Sequence, residues 1–208
     1  MILSIRNLGC FLFRVYIYTL SKTLMKKVLI THSKGGVGKS TLAFSLHDRL
    51  PNSMIWDKDP QGTALTLAQV SEKELSISEE EPKGGFDYCI IDTPPYLSAN
   101  SKNEFEGVDL ILIPCKVKLP DAFAIKDTVR KIEKYGLEDK AVIVLNEVRK
   151  PHNKTYHEVK KIIQDLYPQM NIAPTELSLL VGFERVFVDA LEGTAKEQID
   201  ELIDYVKL

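Results

Sequence analysis

The chain is predicted to fold as an α/β domain, a mostly parallel sheet with helices on both faces, and three observations carry that prediction. An apolar run, Lys27-Val28-Leu29-Ile30-Thr31, leads into the glycine-rich stretch Ser33-Lys34-Gly35-Gly36-Val37-Gly38-Lys39-Ser40-Thr41, and a helix-like run, Thr41-Leu42-Ala43-Phe44-Ser45-Leu46, follows it. Beyond this unit, short apolar runs alternate with amphipathic ones, the pattern of a buried parallel sheet covered by helices. Two of the apolar runs end on carboxylates, at Asp57-Lys58-Asp59 and at Ile90-Ile91-Asp92.

In chain order, strands are expected at 27–32, 53–57, 86–92, 108–114 and 141–147, with a short one near 171–174, because each is an apolar run too short for a helix. Helices are expected at about 40–50, 62–70, 100–106, 121–135, 155–167, 183–191 and 195–206. The last is supported by Ile199, Leu202, Ile203 and Val206, spaced to pack on a core, with an acidic face opposite. Ser71 to Gly85 holds Glu72, Glu74, Glu79, Glu80 and Glu81, then Pro82, Gly84 and Gly85, and reads as a solvated connection. Loops at the carboxyl ends of the strands are expected to form the site.

The chain has 208 residues, enough for one domain with a proper core, and its 44% hydrophobic and 27% charged content is ordinary for a soluble protein. A net charge of −2 argues against a surface that coats nucleic acid as a whole, so any such contact must come from a local basic cluster. Cys10, Cys89 and Cys115 are far apart and odd in number, which indicates neither a disulfide framework nor a zinc site; Cys89 and Cys115 read as buried hydrophobes in a reducing compartment. His32, His47, His152 and His157 show no metal-ligand spacing and are expected to pack in loops or on the surface. Residues 1–24 stand apart from a main domain expected at 25–208. Arg14 splits their apolar run, leaving it too short for a membrane span. Three readings compete for this segment: an upstream extension from a misassigned start, a basic apolar helix on a membrane surface, or a partner-binding arm.

The glycine-rich stretch has the composition of a phosphate cradle. Gly35, Gly36 and Gly38 let successive backbone N–H groups turn inward, Lys39 places a charge at the terminal phosphates, Ser40 offers a hydroxyl to Mg²⁺, and Thr41 opens a helix whose N-terminus favours anions. Ser33 stands where the strict G-x-x-x-x-G-K-[ST] pattern has glycine, and Lys34 is a second lysine that an ordinary loop does not need. Asp57, Asp59 and Asp92, at the ends of two apolar strands, suit a hydrated Mg²⁺, which keeps most of its waters and takes few protein ligands.

Lys34-Gly35-Gly36-Val37-Gly38-Lys39-Ser40-Thr41, then Asp57-Lys58-Asp59-Pro60-Gln61-Gly62, then Ile90-Ile91-Asp92-Thr93-Pro94-Pro95 resemble the ParA/MinD family of deviant Walker A ATPases, from Met25 to near the C-terminus. The Asp57 to Gly62 form resembles the ParA partition branch, and the short length its small members without a helix-turn-helix domain. The resemblance implies a P-loop NTPase fold, ATP and Mg²⁺ as cofactors, and nucleotide contacts from Gly35, Gly36, Val37, Gly38, Lys39, Ser40 and Thr41. Lys39 would bind the β- and γ-phosphates, Thr41 the α-phosphate, and Lys34 would cross to the nucleotide of a second subunit. Ser40, Asp57 and Asp92 would hold the Mg²⁺ shell while Asp59 orients the attacking water. The residues themselves leave that division among the aspartates open. Asn146 resembles the family position that contacts adenine, against a plain turn-forming asparagine.

Arg185, upstream of Gly193, is similar to a family arginine implicated in nonspecific DNA binding; Arg149, Lys150 and Lys154 and the face Lys126, Arg130, Lys134 are further candidates, each with a solvated helix face as its alternative. The resulting expectation is a cytoplasmic, nucleoid-associated homodimer in the ATP state that binds double-stranded DNA through phosphates and is reset by a ParB-like adaptor. A MinD-like membrane ATPase is the alternative, disfavoured because an anionic bilayer would repel the acidic face of the last helix. A metallocluster carrier or ligase on the same fold has no supporting cysteines or motif.

Overall fold

β1 (Lys26–Ile30) is buried on both sides of its pleat from Val28 to Ile30, which only a central strand with both sheet faces covered allows. The computed structural model describes residues 25–60, 66, 71, 73, 75–95, 101–149 and 153–208. After β1 come α1 (Lys39–Arg49), β2 (Ser53–Asp57), β3 (Ile77–Ser78), β4 (Tyr88–Asp92), β5 (Leu110–Lys116), α2 (Leu119–Ala124), α3 (Lys126–Lys134), β6 (Ala141–Asn146), α4 (Lys154–Leu166), β7 (Asn171–Ile172), α5 (Val181–Arg185) and α6 (Gly193–Val206). Short 3-10 turns occupy Ser101–Glu104 and Glu138–Lys140.

The strands form one parallel sheet in the order β3-β2-β4-β1-β5-β6-β7. The chain builds one side of β1 first, then crosses to the other at β5, so the order reverses at β1 and opens a crevice beyond its carboxyl end. Side-chain alternation along β1 sends Val28 and Ile30 to one core layer and Leu29 to the other. The first layer packs Leu42 and Phe44 of α1 with Phe183, Ile199 and Leu202 of α5 and α6. The second holds Ile111, Ile113, Val129, Ile132 and Val159 beneath α2, α3 and α4.

Several boundaries differ from expectation. The stretch read as a solvated connection contains β3, a two-residue edge strand in which Ile77 pairs with Ile55. Its signal is one apolar residue among glutamates, below any periodic pattern. The helix expected at 121–135 begins at Leu119, with Pro120 in the first turn where a missing N–H costs nothing, and divides at Ile125 into α2 and α3. The helix expected at 183–191 stops at Arg185, and the one expected at 100–106 is a 3-10 turn. The helix expected at 62–70 lies outside the described residues except for residue 66, as do residues 1–24 and His152. α6 is as expected: Ile199 and Leu202 are buried while Glu197, Glu201 and Asp204 are exposed. Among the described residues, no helix is long and apolar enough to cross a membrane. Cys89 and Cys115 are buried free thiols, each pushed up to about 12 by burial, and so inert as nucleophiles.

Candidate nucleotide site

The crevice beyond β1 is filled by the glycine-rich loop. Gly36 (φ 70°) and Gly38 (φ 97°) take left-handed backbone conformations, and Gly38 is the N-cap of α1, its carbonyl accepting from Leu42 N at 3.0 Å. A Cβ on Gly38 would lie 2.1 Å from Asn146 Nδ2, so glycine is required for space as well as for φ. The first turn of α1 carries no acidic residue, leaving its positive end open to an anion. A cavity of about 390 Å³ lies in front of the loop, lined by Gly35, Gly36, Gly38, Lys39, Ser40 and Thr41 together with Asp59. Val37 is not part of that lining. Its side chain is buried in the core, and its carbonyl accepts from Asn146 Nδ2 at 2.9 Å.

Parallel pairing puts Asp57 and Asp92 side by side at the ends of β2 and β4. Both are buried, at 2% and 1% exposure, and Asp92 Oδ1 has no hydrogen-bond partner. Burial pushes the Asp92 carboxyl up to about 7; neighbouring Asp57 and Asp59 push the same way, and the Ser40 hydroxyl and Lys39 pull back. Asp57 Oδ1 accepts from Asp59 N at 2.9 Å, and Asp59 lines the cavity. Lys39 is also buried; burial lowers its pKa while Asp92 and Asp59 raise it, and its Nζ donates to Lys34 O at 3.3 Å.

These residues fit a magnesium nucleotide. A buried carboxylate oxygen lacking a donor, beside a second carboxylate and a serine hydroxyl, is an unsatisfied arrangement that a cation completes. Mg²⁺ takes one or two carboxylates and completes its shell with hydroxyl, water and phosphate oxygens. Ser40, Asp92 and Asp57 would hold it, and bound there it would neutralise phosphate charge. Loop amides and Lys39 would orient the phosphates, and Asp59 lines the cavity wall.

Asn146, at the end of β6, is buried and engaged at both ends of its amide: besides Val37 O, its Oδ1 accepts from Glu147 N at 2.9 Å. Its first role is therefore to lock the loop. It also lines a second cavity of about 280 Å³, with Leu179, Leu180, Phe183 and Arg149, which shares Gly38, Thr41 and Glu147 with the first. Apolar walls beside a phosphate pocket suit a base. Arg149 thus stands beside the nucleotide cavities, whereas Arg185 lines a separate hollow, exposed and paired with Asp189 one turn on. Lys126, Arg130 and Lys134 are exposed along α3, Lys154 pairs with Glu158 at 3.7 Å, and Lys150 lies outside the described residues.

Lys34 does not line the phosphate cavity; its Nζ donates to Asp121 Oδ1 at 2.7 Å. The sequence reading missed Asp121, which no spacing links to the loop. It also missed the part played by His32, whose Nδ1 accepts from Lys34 N at 2.8 Å, and Glu147, held at φ 52° and paired with Lys116. His32 carried a signal only in its closeness to the loop.

Residues 28–179 match the CobQ/CobB/MinD/ParA nucleotide binding domain. A maintenance of carboxysome distribution protein A from Gloeobacter kilaueensis is 30% identical over 127 residues, 53% of this chain and 58% of that protein, so the match spans little more than half of the relative. The ATP complex of a substituted McdA from Cyanothece superposes with a TM-score of 0.70 at 15% identity, over 88% of this chain and 97% of that one. A putative plasmid partition protein of Borrelia burgdorferi B31 bound to AMPPNP superposes at 0.68 with 16% identity, over 88% and 99%. At these identities the structural likeness is one of fold, and the matched domain supplies the family. The chain belongs to the CobQ/CobB/MinD/ParA nucleotide-binding domain family.

Proposed function

We propose that the chain is an ATP-driven partition protein: ATP brings two copies together, the pair binds double-stranded DNA without sequence preference, and Mg²⁺-dependent hydrolysis stimulated by a ParB-like adaptor resets it. The observation that carries this reading is Lys34, a half-exposed second lysine beside the phosphate cavity that Lys39 already serves. A lysine outside its own cavity has a use if it reaches the phosphates of another copy, as an arginine finger does. Two similar proteins, one for carboxysome distribution and one a putative plasmid partition protein, support a role in distributing cargo.

In this cycle Lys39, Ser40 and Thr41 bind the phosphates, Asp57 and Asp92 hold the Mg²⁺ shell, and Asp59 orients water. Arg185, Arg149 and Lys150 are the first candidates for DNA, the protein acts at the nucleoid, and residues 1–24 form an extension to a 25–208 ATPase domain. The acidic exposed face of α6 speaks against docking on an anionic membrane surface. The test is DNA binding with ATP, with ADP and without nucleotide, for the wild type and Lys34→Ala. Binding that needs ATP and Lys34, and that falls steeply with salt, is the expected result. Binding indifferent to both would refute the switch.

A further inference from the structure

Among the described residues, Gly38, Thr41 and Glu147 line both the phosphate cavity and the apolar cavity beside it, and of these Glu147 is the charged one. Gly38 and Thr41 come from the phosphate loop and the first turn of α1, whereas Glu147 follows the end of β6 and faces them from another part of the fold. A molecule that occupies both cavities therefore passes this carboxylate at their junction. The backbone of Glu147 is held at φ 52°, in the left-handed region that costs a non-glycine residue about 1–2 kcal/mol. Two contacts fix it there: Glu147 N donates to Asn146 Oδ1 at 2.9 Å, and Lys116 Nζ is paired with Glu147 Oε1. The β5–β6 register sets Lys116 beside Asn146, one residue before Glu147. The side chains are 20% and 30% exposed for Lys116 and Glu147, so the lysine offsets, in a partly shielded place, a negative charge that would repel phosphates.

We propose that Glu147 binds the vicinal hydroxyls of the nucleotide sugar and so selects ribonucleotides over deoxyribonucleotides, with Lys116 as its positioning residue. This rests on the nucleotide reading above, with phosphates against the loop and the base between the apolar walls. The sugar joins phosphates to base as the junction joins the two cavities. It brings two adjacent O–H donors, and an ionised carboxylate only accepts, with about four lone-pair sites on its two oxygens, so the Lys116 contact leaves capacity for both hydroxyls. Hydrogen bonds to an ionised acceptor are the stronger kind, which makes a missing hydroxyl felt even at a partly exposed site.

The experiment titrates ADP, 2′-deoxy-ADP and 3′-deoxy-ADP, each with Mg²⁺, into the full chain by calorimetry, for the wild type, Glu147→Gly, Glu147→Gln and Lys116→Met. The wild type, which needs no substitution to fold, should bind either deoxy analogue about tenfold more weakly than ADP. Glu147→Gly suits the left-handed φ and removes the acceptor, so the ratio of affinities should fall to about one. Glu147→Gln keeps the shape with an uncharged acceptor, and its ratio should lie in between. Lys116→Met should also lower the ratio, whereas a lysine that only supports the fold would weaken all three nucleotides alike. Equal binding of ADP and both analogues by the wild type, or a ratio that persists in Glu147→Gly as a sugar-pucker preference would, overturns the role of Glu147 alone. An unchanged ratio in Lys116→Met overturns the positioning role of the lysine. A wild type that does not bind ADP overturns the nucleotide reading, and the sugar assignment with it.

Discussion

Gly38 meets two demands at one position, a left-handed φ and a missing Cβ next to the Asn146 amide. Gly38→Ala should therefore cost about 2–4 kcal/mol in urea unfolding and abolish nucleotide binding, because Asn146 is buried and bonded at both ends and cannot step aside. His32 is the second residue with a consequence beyond its contacts. Burial, with Lys39 and Lys34 adding to it and Asp121 opposing, lowers its pKa to about 4 from 6.5, so the folded ring stays neutral where the unfolded one takes up a proton. Its contribution is whole above pH 6.5 and is lost as pH falls toward 4, on the order of 3 kcal/mol across the window. Asp92 runs the other way: its raised pKa favours the folded state at low pH and loses that contribution as pH rises through about 7. The difference between the urea stabilities of wild type and His32→Gln from about pH 7 to about pH 4 isolates the histidine, and it should shrink steadily as the pH is lowered.

At the scale of elements, α1 connects the site to the core, with Lys39 at one end and Phe44 fully buried midway. Phe44 meets Phe187 edge-on at 4.7 Å between centroids, joining the helix to the chain after α5. Phe44→Ala is expected to cost about 3–5 kcal/mol in chemical denaturation. The central strands were legible in the sequence because both their faces are apolar, leaving uninterrupted runs such as Leu110 to Ile113. β3 and the ends of α5 were not, because two-residue pairings and single turns fall below any hydrophobic period. α2 fell within the helix expected at 121–135, but the role of its acidic residue escaped for a different reason. Its first turn contains Asp121, which reads as an ordinary acidic residue near a helix start until the fold brings Lys34 against it.

For the whole molecule, ligand binding and folding are one equilibrium. ATPγS with Mg²⁺ at a hundredfold excess over its dissociation constant should stabilise the chain by about 2.7 kcal/mol, read as a rise in thermal midpoint. EDTA should remove most of that rise, and Lys39→Ala should abolish it together with ATP turnover. The sequence by itself determined the α/β class, the phosphate loop, the carboxylates at 57, 59 and 92, and the family, since these reside in contiguous motifs whose spacing expresses local backbone geometry. Only the tertiary structure decided that Asn146 locks the loop, that Arg149 borders the nucleotide cavities while Arg185 is matched by Asp189, and that Lys34 rests on Asp121. Those relations join residues that lie far apart along the chain, or depend on which way an exposed side chain turns. They come into being only when β1, β5 and β6 pair and carry their carboxyl ends to one edge of the sheet.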